Sequence, residues 1–455
     1  MSKRPNILFL MSDQHRADVT GYEGNEVIRT PVLDELARTG VVFRNAYTPA
    51  PICIPGRQCM MAGQLPKTCG CEGWVDLQPN YLTFARQFAR HMYNTVCSGK
   101  LHHIGTDQMQ GWTKRIAPDA EISDKYIEGR DGDLFARYTS ELGTGKWSNQ
   151  KEIERAGVGG GPYRRFDDFA EESAIDFIHN YFCDEYYDRP QSHRPLLLKV
   201  SFLQPHYPFL TDEERFSYYL NRVPLFLDEP CDHPVLSLSQ QWKSVEVTQR
   251  DIRRTTAAYY GMVETVDARF GNLLDTLEHV GVNLDEWIIV YTSDHGEMLG
   301  EHGIWEKTRL YDGCARVPLI VRWPREFEPR VVKENVNLCD LFATLCDLAG
   351  LPIPDGLDSR SLVPLMRGDA SGWSNETVSQ IDFGRHLMIK QDSLKYQYYG
   401  EDVPEVLFDL AKDPGETTNL ADDPTYSGAM NAFRKRRAEL GFGPSADPDY
   451  VNAGY

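Results

Sequence analysis

Ile7-Leu8-Phe9-Leu10-Met11 is an unbroken apolar run that stops at Ser12-Asp13-Gln14-His15. The run has strand length, and its lack of polar alternation marks a strand covered on both faces. The same pattern recurs three times. Trp287 to Tyr291 leads into Ser293-Asp294-His295-Gly296-Glu297, and Leu196 to Phe202 into Gln204-Pro205-His206-Tyr207-Pro208. Tyr93 to Cys97 leads into Gly99-Lys100-Leu101-His102-His103. With helical stretches between them, these runs predict an α/β chain with buried strands of a parallel sheet. In such sheets ligands bind beyond the carboxyl ends of the strands, so the four polar clusters are expected along one rim.

Cys53-Ile54-Pro55-Gly56-Arg57 adds a nucleophile to that picture. Pro55 suits a first helical turn, where its missing N–H costs nothing. The exposed N–H groups and dipole of a helix start favour an anion beside residue 53. Arg57 offers a fixed planar cation. The five residues alone suit a buried cysteine before a helix equally well.

The rest of the chain sets limits. At 455 residues it exceeds a comfortable single core, so a large domain with a smaller one is expected. We place these at residues 1–360 and 361–455. The turn-rich stretch Asp355 to Gly372 carries the crossing. Thr255 to Gly281 reads as a helix, its stripe of Tyr259, Val263, Val266, Phe270, Leu273 and Leu277 facing the core and Gly281 ending it. Asp107 to Gly161 is polar and aperiodic, and reads as an inserted loop region near the cleft. The composition is 41% hydrophobic with no apolar run of membrane-spanning length, so no membrane span is expected. A net charge of −19 argues against nucleic acid or an anionic membrane as partner. The first strand begins almost at the N-terminus, so a cytoplasmic location is expected. The ten cysteines are scattered; Cys69 and Cys71 lack the spacing of a paired zinc motif, and reduced, mostly buried thiols are expected. A homo-oligomer is left open.

Taken in order along nearly the whole chain, these segments resemble the sulfatase family of the alkaline phosphatase superfamily. The resemblance rests on Arg4-Pro5-Asn6-Ile7 with Asp13, Thr30-Pro31-Val32-Leu33-Asp34-Glu35-Leu36-Ala37, Gly40-Val41-Val42-Phe43 and Cys53 to Arg57. It continues through Gly99 to His102, Gln204-Pro205-His206 and Ser293 to Gly296, and closes with Leu407 to Leu410 and Asp413-Pro414-Gly415-Glu416.

The resemblance implies an alkaline-phosphatase-like fold, a large, mostly parallel mixed sheet sandwiched by helices, with a smaller C-terminal α+β domain. That domain is a short antiparallel sheet and a helix, and Tyr396–Tyr399 and Val406–Asp409 fit two of its strands. It implies hydrolysis of a sulfate ester, a small sugar sulfate or other organic sulfate, through a formylglycine that a formylglycine-generating enzyme makes from Cys53. The metal ligands it implies are Asp13, Gln14, Cys53 (as converted), Asp294 and His295; the catalytic set adds Arg57, Lys100, His102, His206 and Lys307. Two positions depart from the family pattern: Gln14 stands where a second aspartate is usual, and His295 for an asparagine. The softer, less negative set makes Mn2+ a competitor to Ca2+. The same pair resembles the phosphonate monoester hydrolase branch, so hydrolysis of phosphonate or phosphate mono- or diesters is the alternative. Gly56 stands where serine is usual in the modification sequence. His386 is a candidate for the cleft rim.

Overall fold

The computed structural model describes residues 4–119, 149–160, 162–183, 194–225, 233, 248–381 and 385–443. The strands are β1 (Ile7–Ser12), β2 (Val41–Tyr47), β3 (Asn94–Gly99), β4 (Lys114–Arg115), β5 (Gly157–Val158), β6 (Leu196–Ser201) and β7 (Leu210–Thr211). They continue with β8 (Ile288–Ser293), β9 (Leu319–Arg322), β10 (Arg330–Asn337), β11 (Glu376–Ile381), β12 (His386–Gln391), β13 (Leu394–Tyr398) and β14 (Val406–Asp409).

Eight of these form one sheet in the order β10-β2-β9-β8-β1-β6-β3-β4. Only β9 runs against its neighbours; the other pairings are parallel. The unbroken apolar runs are explained by what covers them. Ile7, Phe9 and Met11 pack on one face with Phe84, Phe88, Phe342 and Leu345, whereas Leu8 and Leu10 pack on the other with Phe270, Leu273 and Leu277. Neither face of β1 meets water, so no polar alternation is selected.

Register then sets the rim. Ser12 pairs with Ser293, Met11 with Ser201, and Ser201 with Gly99. The four central strands therefore end level, and Asp13, Lys100 and Asp294 leave the sheet side by side.

The long helix on the second face runs Gln249–His279. It begins before Thr255, the start expected from periodicity, because Thr248 and Asp251 form a reciprocal capping box ahead of the apolar stripe. Gly281 adopts φ +83°, the left-handed stop that the sequence suggested. The stretch from Asp107 to Gly161 is more structured than a loop insertion: β4 pairs with β3, a helix spans Asn149–Arg155, and β5 pairs with β7. Residues 120–148 of it lie outside the described residues.

The C-terminal part is a four-stranded antiparallel sheet, β11-β12-β13-β14, with the helix Ser427–Glu439 on one face. Met430 and Phe433 pack there against Val378, Leu387, Ile389, Tyr396 and Leu407. Among the described residues no helix is long and apolar enough to cross a membrane.

Candidate active site

Cys53 opens the helix Cys53–Ala62, all of whose residues are buried. Ile52 precedes it in an extended conformation with no side-chain cap, so the first-turn N–H groups meet whatever charge sits at residue 53. Gly56 is explained by contact. A Cβ there would lie 2.8 Å from the Ala50 carbonyl and 3.2 Å from that of Asp294, so a side chain would have to push this helix off the backbone at Ala50.

The Cys53 Sγ lies 3.1 Å from His295 Nε2 and 3.8 Å from Asp13 Oδ1. His295 Nε2 is in turn 3.9 Å from Asp13 Oδ1 and 3.8 Å from Asp294 Oδ1. One donor atom each from Asp13, Cys53, Asp294 and His295 falls within 4.8 Å of every other, and all four residues are buried. The far oxygens of the carboxylates are held by cations. Arg57 Nε donates to Asp294 Oδ2 at 2.7 Å and Nη2 to Asp13 Oδ2 at 3.1 Å, while Lys100 Nζ pairs with Asp13 Oδ2 at 2.9 Å. Arg57 Nη1 donates to the Lys100 carbonyl and to Ser201 Oγ. The guanidinium is thus a brace between the two aspartates, and its fork faces them and the sheet.

This donor set fits a divalent cation. Ligands about 2.0–2.5 Å from a common ion stand roughly 3–4 Å apart, and His295 Nε2 lies at that spacing from the Oδ1 atoms of both aspartates. His295 donates Nδ1–H to the Gly296 carbonyl at 2.9 Å, which fixes its tautomer and leaves the Nε2 lone pair facing the other donors. Gln14 joins them from the side. Its backbone N–H donates to Asp294 Oδ1 at 3.1 Å, its side-chain NH2 to Glu297, and its Oε1 accepts from Lys307 Nζ at 3.1 Å. Glu297 therefore turns the amide so that its oxygen faces the Lys307 side.

Lys307 Nζ also donates to His206 Nε2, and His206 donates its Nδ1–H to the Tyr207 carbonyl at 2.7 Å. His102 is buried in the loop after β3: its backbone N–H is held by Asp119, its ring meets Trp74 edge-on at 5.5 Å, and Asp76 and Asp119 are among its charged neighbours. His386 opens β12 and packs edge-on against Tyr399.

The charges are strongly biased. Burial works against the Cys53 thiolate, as does Asp13, but Lys100, Lys307 and His295 together hold the thiol well below its usual range. Burial likewise raises Asp13, and Lys100, His206, Arg57 and His295 outweigh it and bring the carboxyl well below normal. Asp294 moves up, because burial and the Asp13 charge outweigh Arg57. Burial and the Lys307 charge press His206 down to about 4, so it is a neutral acceptor for the ammonium. Burial opposes the charged form of His295, but Asp294 and Cys53 hold its value up.

Backbone strain gathers at the same place. Gln14, His102, Leu299, His302, Glu306 and Thr308 all have positive φ without being glycine, and all lie in the loops around these residues. Such conformations persist where surrounding structure enforces them.

The metal-ligand and catalytic candidates Asp13, Gln14, Cys53, Arg57, Lys100, His102, His206, Asp294, His295 and Lys307 are all buried, whereas His386, the candidate for the cleft rim, is half-buried. The structure also brings in residues to which sequence assigned no role. Glu297 accepts from the Leu299 and Glu306 backbones as well as from Gln14. Tyr259 holds the Gln14 carbonyl at 2.6 Å, Ser201 receives Arg57, and Asp119 clamps the Lys100 loop. The signal for Glu297 lay in its place in the β8 cluster. Tyr259 was hidden in the apolar stripe of its helix.

A family profile described as Sulfatase matches residues 5–351, and one described as N-sulphoglucosamine sulphohydrolase, C-terminal, matches residues 300–441. The chain is 31% identical to a choline-sulfatase of Rhizobium meliloti (strain 1021), covering 96% of this chain and 86% of that one. It is 28% identical to an arylsulfatase of Clostridium perfringens, covering 95% and 93%. Its fold is similar to that of a phosphonate monoester hydrolase of Agrobacterium radiobacter, with a TM-score of 0.77 at 24% identity over 96% and 95% of the two chains.

Proposed function

This chain belongs to the sulfatase family and is a sulfuric ester hydrolase, and we propose that it cleaves small organic sulfate esters with an oxygen nucleophile made from Cys53. The observation that supports this reading is the convergence of Cys53 Sγ, His295 Nε2 and the Oδ1 atoms of Asp13 and Asp294, while Arg57 and Lys100 neutralise the opposite oxygens.

Asp13, Gln14, Asp294 and His295 would hold one divalent ion, Ca2+ or Mn2+, which would stabilise an oxygen anion at residue 53 and draw charge from the sulfuryl oxygens. Conversion of Cys53 by a formylglycine-generating enzyme supplies an aldehyde whose hydrate attacks sulfur and later lets sulfate go, a return that a sulfated thiol lacks. Lys100 and Lys307 bind the sulfuryl oxygens as charge builds on them. Lys307 also faces the leaving oxygen as proton donor, held in place by neutral His206 and the Gln14 amide. His102 takes up the proton released in the second step. The net charge of −19 does not oppose an anionic substrate, since it is screened over about 8–10 Å.

The alternative, phosphonate or phosphate ester hydrolysis, draws on Gln14 and His295, which make the donor set less negative. Protein co-expressed with a formylglycine-generating enzyme should carry the aldehyde at residue 53 by peptide mass, and turn over an aryl sulfate faster than an aryl phosphonate. An unmodified Cys53 in active protein would overturn the nucleophile; a large phosphonate preference would overturn the substrate class.

A further inference from the structure

We propose that Cys59 and Cys69 are a redox-active pair that closes into a reversible disulfide behind the nucleophile helix. Sequence gave no hint of it, because Cys59 stands ten positions from Cys69 and the Cys69–Cys71 spacing suggests nothing. The fold brings the Sγ atoms of Cys59 and Cys69 to 3.5 Å. Cys59 sits in the last turn of the helix Cys53–Ala62, and Cys69 ends the short helix Pro66–Cys69. With Cys71, Cys339, Ala62 and Leu77 they form a compact buried cluster. Cys339 points elsewhere, its thiol toward the Gln64 carbonyl at 3.2 Å.

The three neighbouring thiols are not equivalent. Cys59 and Cys71 have no exposed surface, whereas Cys69 retains 7%. Hydrogen bonds from the Cys59 and Cys71 thiols favour the Cys69 thiolate and pull its value down, while burial pushes Cys59 up. Cys69 is therefore the attacking sulfur and Cys59 the resolving one. With a low-molecular-weight disulfide such as glutathione disulfide, the Cys69 thiolate attacks one sulfur, breaks the S–S bond and releases a glutathione thiolate. Cys59 then passes its proton to that thiolate and attacks Cys69, forming the internal S–S bond and expelling the second glutathione. Two protein thiols are oxidised and one glutathione disulfide is reduced to two glutathiones.

The pair lies where a crosslink matters. Cys59 follows Arg57 and Gln58 on the helix, and Gln58 donates to Asp76 at 3.2 Å while accepting from the Leu77 backbone. Asp76 in turn holds the Ile104 backbone N–H, and Trp74 lies against His102. A bond between residues 59 and 69 thus ties the helix that carries Cys53 to the segment that supports the His102 loop.

The test uses full-length Cys53→Ala protein, so that residue 53 takes no part, treated with glutathione disulfide, alkylated and digested without reductant. A peptide pair linked through residues 59 and 69 is expected, cleaved by dithiothreitol and absent from Cys69→Ser. Oxidation should also raise Tm by at least about 2 °C in the parent but not in that variant. If Cys69→Ser does not fold, Cys59→Ala serves the same purpose. Both cysteines fully alkylated after oxidation, or Cys69 linked to Cys71 instead, would overturn the pair. None of these readouts requires turnover, so they stand apart from the proposed reaction.

Discussion

Two of the buried charge networks among the described residues differ in where their polar atoms point. One joins the large sheet to the C-terminal sheet: Lys395, fully buried, pairs with Asp312 at 2.8 Å and Glu416 at 2.7 Å. Tyr47 donates to Asp312 at 2.9 Å, and the Asp312 backbone N–H donates to Glu416. Those contacts close on one another. The other network, around Cys53, also pairs buried carboxylates with cations, yet its arginine and Lys100 occupy the outer carboxylate oxygens. The inner oxygens, an imidazole nitrogen and a sulfur face a common centre. Buried charge alone therefore marks no site in this fold; convergence of lone pairs with cations held behind them does. The first network joins the two parts of the chain, and the second is arranged around something still to be bound.

Four substitutions would break or sharpen that contrast. Cys53→Ala should lower kcat/KM by at least about 10⁴-fold with Tm nearly unchanged, since residue 53 supplies the nucleophile and its small side chain bears little packing. A steady-state assay beside a melting curve checks both halves. Lys307→Ala should cost about 10²–10³-fold, chiefly in kcat, as expected for a donor that acts on developing charge. Lys395→Met in the joining network should do the reverse. It leaves Asp312 and Glu416 facing each other, costs about 3–5 kcal/mol in urea unfolding, and leaves kcat/KM of the folded protein within about threefold. An equal loss of activity there would erase the distinction.

The smallest effect concerns pH. His103, buried beneath the Lys100 loop with Nδ1–H on the Gln108 carbonyl, is pressed down to about 4 by burial. Its unfolded value is near 6.5, so its contribution is full above about 6.5 and lost as pH falls towards 4. Between pH 7 and 5 the native protein should lose about 1–2 kcal/mol more stability than His103→Asn. Equal losses in urea titrations at the two pH values would contradict the assignment.

Much of this was legible in the chain. The apolar runs gave β1, β3, β6 and β8, because strands covered on both faces carry no competing signal. The polar residues just after them gave the rim, because parallel strands all deliver their ends to one side. Register was not legible. That Ser12 lies beside Ser293 and Ser201 beside Gly99 follows from packing across distant segments, and only that register brings Asp13 and Asp294 to either side of Arg57. Arg57 shows the difference: sequence offered it as a fixed planar cation beside residue 53, and only the fold directs its N–H groups to the aspartates, the Lys100 carbonyl and Ser201. The start of the long helix was missed because Arg250, Arg253 and Arg254 dilute the periodic signal, while the capping box at Thr248 supplies the local start. The Cys59–Cys69 contact is a tertiary fact with no trace in spacing.

The most direct test is a crystal structure of protein co-expressed with a formylglycine-generating enzyme, with the density at residue 53 refined without bias. The account expects an aldehyde hydrate whose oxygen touches a divalent ion held by Asp13, Gln14, Asp294 and His295. An intact thiol in active crystals, with only water between the two aspartates, would contradict it.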